Sequence, residues 1–199
     1  MANLNTPMGL RPVGGIGGGV YSGKITQYSV AAGDATAIFV GDPVKFAATG
    51  QIINGQVFKD VVQAATGDVI VGVVVGVLAD TRDSLTYRAA STQRILLVCD
   101  DPNAVFEIQQ VTGGTPLTVN DVGLNADFVV AAGSTVTGYS GVTINNATEA
   151  TTNTLDLKIL GMPSRADNDV GTAVGTGADA SKFYVRINRH AYVNQIAGV

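Results

Sequence analysis

Apolar and polar residues alternate with a period of two along much of this chain. Phe183, Val185 and Ile187 alternate with Tyr184, Arg186, Asn188 and His190, and Leu155, Leu157 and Ile159 alternate with Asp156 and Lys158. That pattern predicts antiparallel strands with one buried face, here over residues 183–190 and 155–159. Further strands are predicted over residues 24–30, 37–40, 44–47, 68–78, 85–89, 94–99, 104–108 and 127–131. Turn residues separate them: Gly33-Asp34, Gly41-Asp42-Pro43, Asn54-Gly55, Asp101-Pro102-Asn103, Gly113-Gly114 and Gly133-Ser134. Helical spacing is scarce, and only two short helices are predicted, over residues 61–65 and 191–196. Many short strands at close spacing give an all-β fold of antiparallel sandwich or barrel type with little helix. A composition change near residues 111–120 is where two β modules would join if the domain is built from two rather than one. Residues 135–154 and 166–180, rich in small and polar residues, read as long loops.

The first twenty residues break the pattern. They carry Pro7, Pro12 and five glycines between Gly14 and Gly19, with Arg11 as the one charge. Disordered tails keep themselves soluble with charge. This segment instead offers Leu4, Met8, Leu10, Val13 and Ile16 on a backbone that Pro stiffens and Gly lets bend. Residues 1–19 are therefore expected to form an extended arm lying on another protein, with Leu4, Met8, Leu10, Arg11 and Val13 as its contact residues, and residues 20–199 to form the β-rich domain.

Composition supports a covered surface. Charged residues are 14% of the 199 positions while apolar residues are 46%. Such a surface is poorly solubilised as a free monomer, so partners are expected to cover part of it. The net charge of −4 and the scatter of the twelve basic residues argue against a nucleic-acid partner. The apolar run from Val69 to Ala79 is far shorter than the roughly 20 residues of a membrane-spanning helix, so no membrane partner is expected. No signal-peptide core is visible near the start.

Candidate chemistry is thin. Gly18 to Lys24 has the GxxxxGK spacing of a phosphate loop, but Ile25 stands where Ser or Thr would hold magnesium, and neither a preceding apolar strand nor a following helix is predicted. Cys99, the single cysteine, lies beside the apolar Ile95–Val98 run and reads as a buried thiol, and His190, the single histidine, lies on the polar side of its strand. One Cys and one His cannot make a tetrahedral zinc site. Asp167, Asn168 and Asp169, or Asp100 and Asp101, could supply oxygens to a weak calcium site, without the terminal Glu of an EF-hand. The two glutamates, Glu107 and Glu149, do not form an acid–base pair, and Glu107 is expected to face solvent or a neighbouring subunit. No cofactor and no enzymatic activity are expected.

Several segments, taken in order, carry a resemblance: TPMGLRPVG (6–14), AIFVGDPVKF (37–46), GVVVGVL (72–78), LVCDDPNAVFEIQ (97–109), DVGLNADFV (121–129), LKILGM (157–162) and FYVRINRHAY (183–192). Together they span nearly the whole chain, which resembles the head decoration, or capsid cement, proteins of tailed bacteriophages. The resemblance implies a structural virion protein, made in the host bacterial cytoplasm, that sits on the outside of an icosahedral capsid. It implies as partners the major capsid protein, whose neighbouring capsomers it bridges, and copies of itself, with a homotrimer favoured. It supplies no catalytic residues. The alternatives are another structural virion part, such as a tail-tube or fibre-associated β protein, and, more remotely, a nucleotide-using enzyme or a carbohydrate-binding decoration domain.

Overall fold

A computed structural model describes residues 3–168 and 180–193. It is all-β, and the regular helix among the described residues is one 3-10 turn, Val119–Asp121. Five strands close a barrel: β2 (Thr26–Val30), β3 (Pro43–Ile53), β4 (Gln56–Gln63), β5 (Gly72–Val77) and β6 (Arg94–Cys99), in the order β2-β4-β3-β5-β6. Its pairs are antiparallel except where β2 meets β4 in parallel at Ser29 and Asp60. The β3–β4 hairpin turns at Asn54 and Gly55, whose φ values of 52° and 79° are those of the two-residue turn that matches strand twist.

Five more strands form an antiparallel sheet: β1 (Arg11–Gly15), β7 (Ala104–Gln109), β8 (Asn125–Ala126), β11 (Leu157–Gly161) and β12 (Lys182–Ile187), in the order β1-β7-β12-β11-β8. A small ribbon, β9 (Phe128–Val129) with β10 (Thr143–Ile144), stands beside it. The chain passes from barrel to sheet at the Asp100–Asn103 turn. Residues 111–120, where the composition changes, lead from β7 to the 3-10 turn.

Two cores share one wall. Tyr28, Val30, Val44, Val61, Leu96 and Val98 fill the barrel, while Phe106, Ile108, Leu157, Phe183, Val185 and Ile187 form the inner layer of the sheet. Successive strand residues point to opposite faces, so Val74 of β5 enters the barrel core and its neighbour Val73, paired with Cys99, enters the sheet core. Burial on both faces holds for residues 70–74, the middle of the apolar run 69–79, whose ends at Val69 and Leu78 are exposed.

Polar groups fix the barrel rims. Arg88, fully buried, donates from Nε to the Thr92 carbonyl (2.8 Å), from Nη2 to those of Ala31 (2.9 Å) and Asp34 (2.7 Å), and from Nη1 to that of Thr36. Asp60 accepts from Ser29 Oγ (2.5 Å), Gln51 Nε2 (2.6 Å) and Thr49 Oγ1 (2.7 Å); burial raises its pKa, but these three bonds outweigh it and hold the carboxyl below its usual range.

Several local expectations are corrected. The helix over 61–65 does not form: Val61 and Val62 belong to β4, where β-branched side chains fit a pleated, packed surface. Residues 37–40 and 85–89 pair only through isolated bridges, Ile38 with Arg88 and Val40 with Tyr139. β3 runs to Ile53, beyond the expected 44–47, because the Asn54-Gly55 turn pulls polar residues into the hairpin. Residues 191–193 form a turn rather than the start of a helix, and the rest of that predicted helix lies outside the described residues.

Candidate interaction surface

The expected arm, residues 1–19, is in large part built into its own chain. Asn3 Nδ2 donates to Ser181 Oγ (3.0 Å), the Thr6 amide to Gln109 Oε1 (3.0 Å), and Gln109 Nε2 to Asn5 Oδ1 (2.8 Å). Gly9 and Gly41 then cross closely. A Cβ on Gly9 would lie 2.4 Å from the Gly41 carbonyl oxygen, and one on Gly41 would lie 2.2 Å from that of Met8. This approach lets the Leu10 amide donate to the Gly41 carbonyl (2.9 Å) and drops Leu10 into the sheet core at 1% exposure. Residues 11–15 continue as β1, paired with β7 from Arg11 opposite Glu107 to Gly15 opposite Ala104, with an irregularity between Pro12 and Gly14.

The five contact residues expected from the sequence therefore separate. Leu4 is 70% exposed and Arg11 is exposed. Met8 and Val13 are half-buried. Leu10 is corrected: it is a core residue of its own chain, because it bonds Gly41 and joins a cluster drawn from residues 64 to 187, which no local pattern reveals.

The phosphate-loop spacing dissolves into a glycine hairpin. Gly14 bridges Val20, the Gly15 amide donates to the Gly19 carbonyl (2.7 Å), and the Ile16 amide donates to the Asn103 carbonyl (2.9 Å). The chain then enters the strand β2 rather than a helix, and Lys24 Nζ pairs with Asp101 Oδ2 at 2.8 Å. The acidic runs are likewise engaged within the chain. Asp100 accepts from Thr26 Oγ1 (3.1 Å) and Tyr28 OH (2.8 Å). Asp167 accepts from Arg165 Nε (3.1 Å) and Lys182 Nζ (3.3 Å), and Asn168 bonds Pro163 and Lys182; Asp169 lies outside the described residues. Among the described residues no group of three or more His, Cys, Asp and Glu side chains is placed to hold a metal ion.

Cys99 is buried, and burial pushes its thiol pKa up. His190 is also buried, against the expectation that it lies on a polar face. β12 ends at Ile187, and the chain then bends so that Ile70 bridges His190. Burial lowers the His190 imidazole pKa, and its Nδ1 accepts from the Tyr192 amide (3.2 Å). Glu107, expected to face solvent or a neighbour, is 7% exposed, because Arg165 lies over it with two bonds of 2.9 and 3.0 Å.

Strand register and alternation give the outer face of the sheet its composition: Lys158, Lys182, Tyr184 and Arg186 from β11 and β12, Val105 and Glu107 from β7, and Arg11 at the edge. The basic residues are scattered in sequence, and only the alternation of Lys182, Tyr184 and Arg186 hinted that part of the set shares a side. No helix among the described residues is long and apolar enough to cross a membrane. Comparisons with protein-family models, with curated proteins and with solved structures give no match.

Proposed function

We propose that this chain is a structural virion protein, a head decoration or cement protein that binds the outer surface of an icosahedral phage capsid as a homo-oligomer and bridges neighbouring capsomers. The observation that carries the reading is where the family-like segments fall. The first supplies the Gly9–Leu10 crossing and β1, and the second supplies Gly41, which that crossing meets. The others supply β5, the β6–β7 passage, β8 with β9, β11 and β12. The segments that carry the resemblance thus belong to the framework of this fold and not to an isolated patch, which supports the reading. A surface short of charge, with Leu4, Val20, Ile52, Val57 and Val136 at least 70% exposed, fits a protein whose contacts are repeated over a lattice, where each can be weak and avidity supplies the rest.

The test is co-sedimentation of the purified chain with mature shells, followed by imaging of the decorated particles. Binding that saturates at a fixed number of copies per shell, with density on the head, is the expected result. A chain that stays in the supernatant, or density confined to the tail, refutes it.

A further inference from the structure

The outer face of the five-stranded sheet gathers charge that the sequence scatters. Strand alternation places Lys182, Tyr184 and Arg186 on it, and the register sets Arg11 and Tyr184 opposite Glu107 and Lys158 opposite Arg186. Arg165 reaches the same face through Glu107. Five of the chain's twelve basic residues stand here, in a protein of net charge −4. The acidic residues among the described ones on this face are Glu107 and Asp167, both taken up by Arg165 and Lys182. Among the described residues Arg11 and Arg186 have no carboxylate within ion-pair distance, and Arg186 Nε is buried without a hydrogen-bond partner. Beside Arg186 lies an open trough of about 500 Å³ whose apolar lining is Ile16, Val105, Leu160 and Tyr184.

We infer that this face docks an acidic segment of the shell protein, with carboxylates on Arg11 and Arg186 and an apolar side chain in the trough. The inference rests on the shell-binding reading and names its surface and chemistry. Guanidinium groups hold carboxylates bidentately, and Tyr and Arg around an apolar pocket are the residue types that anchor interfaces. The sign of the charge orients the encounter. An acidic partner repels most of this acidic chain and attracts this one face, so complementarity fixes which way the molecule lands. Nucleic acid fits less well, because two unpaired guanidinium groups beside an apolar trough are not the basic track that a phosphate backbone needs.

The experiment is co-sedimentation with mature shells at about 50 mM and about 500 mM NaCl. It compares the natural chain, Arg11→Glu, the double variant Arg11→Glu/Arg186→Glu, and a charge-matched control, Lys59→Glu/Arg82→Glu, at exposed positions on β4 and in the β5–β6 connection. Thermal unfolding checks that each is folded, and Arg11→Glu, at an exposed position, keeps the test valid if the double variant is not. The expected result is a roughly tenfold or greater loss of shell affinity in the double variant, a smaller loss in Arg11→Glu, a control within about twofold of the natural chain, and weaker binding at high salt. If the natural chain does not pellet, the shell-binding reading itself fails. If it pellets and the face variants match the control, or binding ignores salt, this inference alone is overturned. It is also overturned if the variants keep shell binding but change oligomeric state in sedimentation velocity, since the face then belongs to a second copy.

Discussion

Replacing Asp156 by Asn should make the protein more stable, and increasingly so as pH rises. Asp156 is fully buried at the junction of barrel and sheet. Its carboxylate accepts from the Gly67 amide at 3.1 and 3.0 Å, and its own amide approaches Asp127 Oδ1 at 3.4 Å. Burial pushes its pKa from 3.8 up to about 7; the Gly67 amide and Arg189 oppose this, and the neighbouring Asp127 adds to it. The folded pKa lies above the unfolded one, so the native state holds a proton that the unfolded chain has lost between those values. The contribution is therefore fully present below about pH 4, declines across the window, and is gone above pH 7. At about 1.4 kcal/mol per unit, a shift from 3.8 to about 7 makes the ionised side chain cost on the order of 4 kcal/mol at pH 8. Asparagine keeps an acceptor for Gly67 and never ionises. Urea unfolding of both proteins at pH 5, 6, 7 and 8 should show a gap that widens by about 1 kcal/mol per unit up to pH 7 and then levels. His190, whose lowered pKa gives the opposite slope as pH falls below 6.5, is common to both proteins and cancels in the difference. A gap that stays constant with pH, or an Asn variant that is less stable at pH 8, would refute the reasoning.

Three other perturbations probe the same fold. Arg88→Met should cost about 3–5 kcal/mol in urea midpoint measurements, because it strands the buried carbonyls of Ala31, Asp34, Thr36 and Thr92; Arg88→Lys should recover little, having no fork to reach them. Leu10→Ala should cost about 2–5 kcal/mol in thermal unfolding, while Leu4→Ala at 70% exposure stays within about 0.5 kcal/mol. The reverse order would mean that the arm leaves its own chain. Gly9→Ala should destabilise by more than about 1 kcal/mol, since it combines φ of +67° with a Cβ 2.4 Å from a carbonyl oxygen, whereas Gly19→Ala, with open space around it, should be nearly neutral in the same melts.

Fold class was legible because period-two alternation is a local property: β12 and β11 are visible in Phe183–Ile187 and in Leu157 and Ile159 alone. Turn chemistry was equally local, and Asn54-Gly55 turns where its residue types require. The sequence misled where partners are distant. Leu10 looked like a side chain offered to another molecule because Gly41 and the sheet core that receive it lie far along the chain. His190 continued an alternation that the backbone abandons at Ile187. The basic face stayed hidden because Arg11, Lys158 and Arg186 meet only through strand order, and Arg165 only through its pair with Glu107.

The docking of the N-terminal segment also bears on how the molecule assembles in time. Residues 3–15 precede the barrel in the chain, yet their partners lie far beyond them: Thr6 bonds Gln109 across 103 positions and Asn3 bonds Ser181 across 178. The barrel strands β2 to β6 are contiguous in the chain and can close on one another, but the sheet needs its edge strand from before the barrel and its other four strands from after it. Closing loops of that length costs entropy before the contacts repay it, which makes such topologies slow to fold. The glycine-rich stretch between β1 and β2 therefore joins the barrel to an edge strand whose pairing partner, β7, lies beyond all five barrel strands, so that strand can pair only after the longest of these loops has closed.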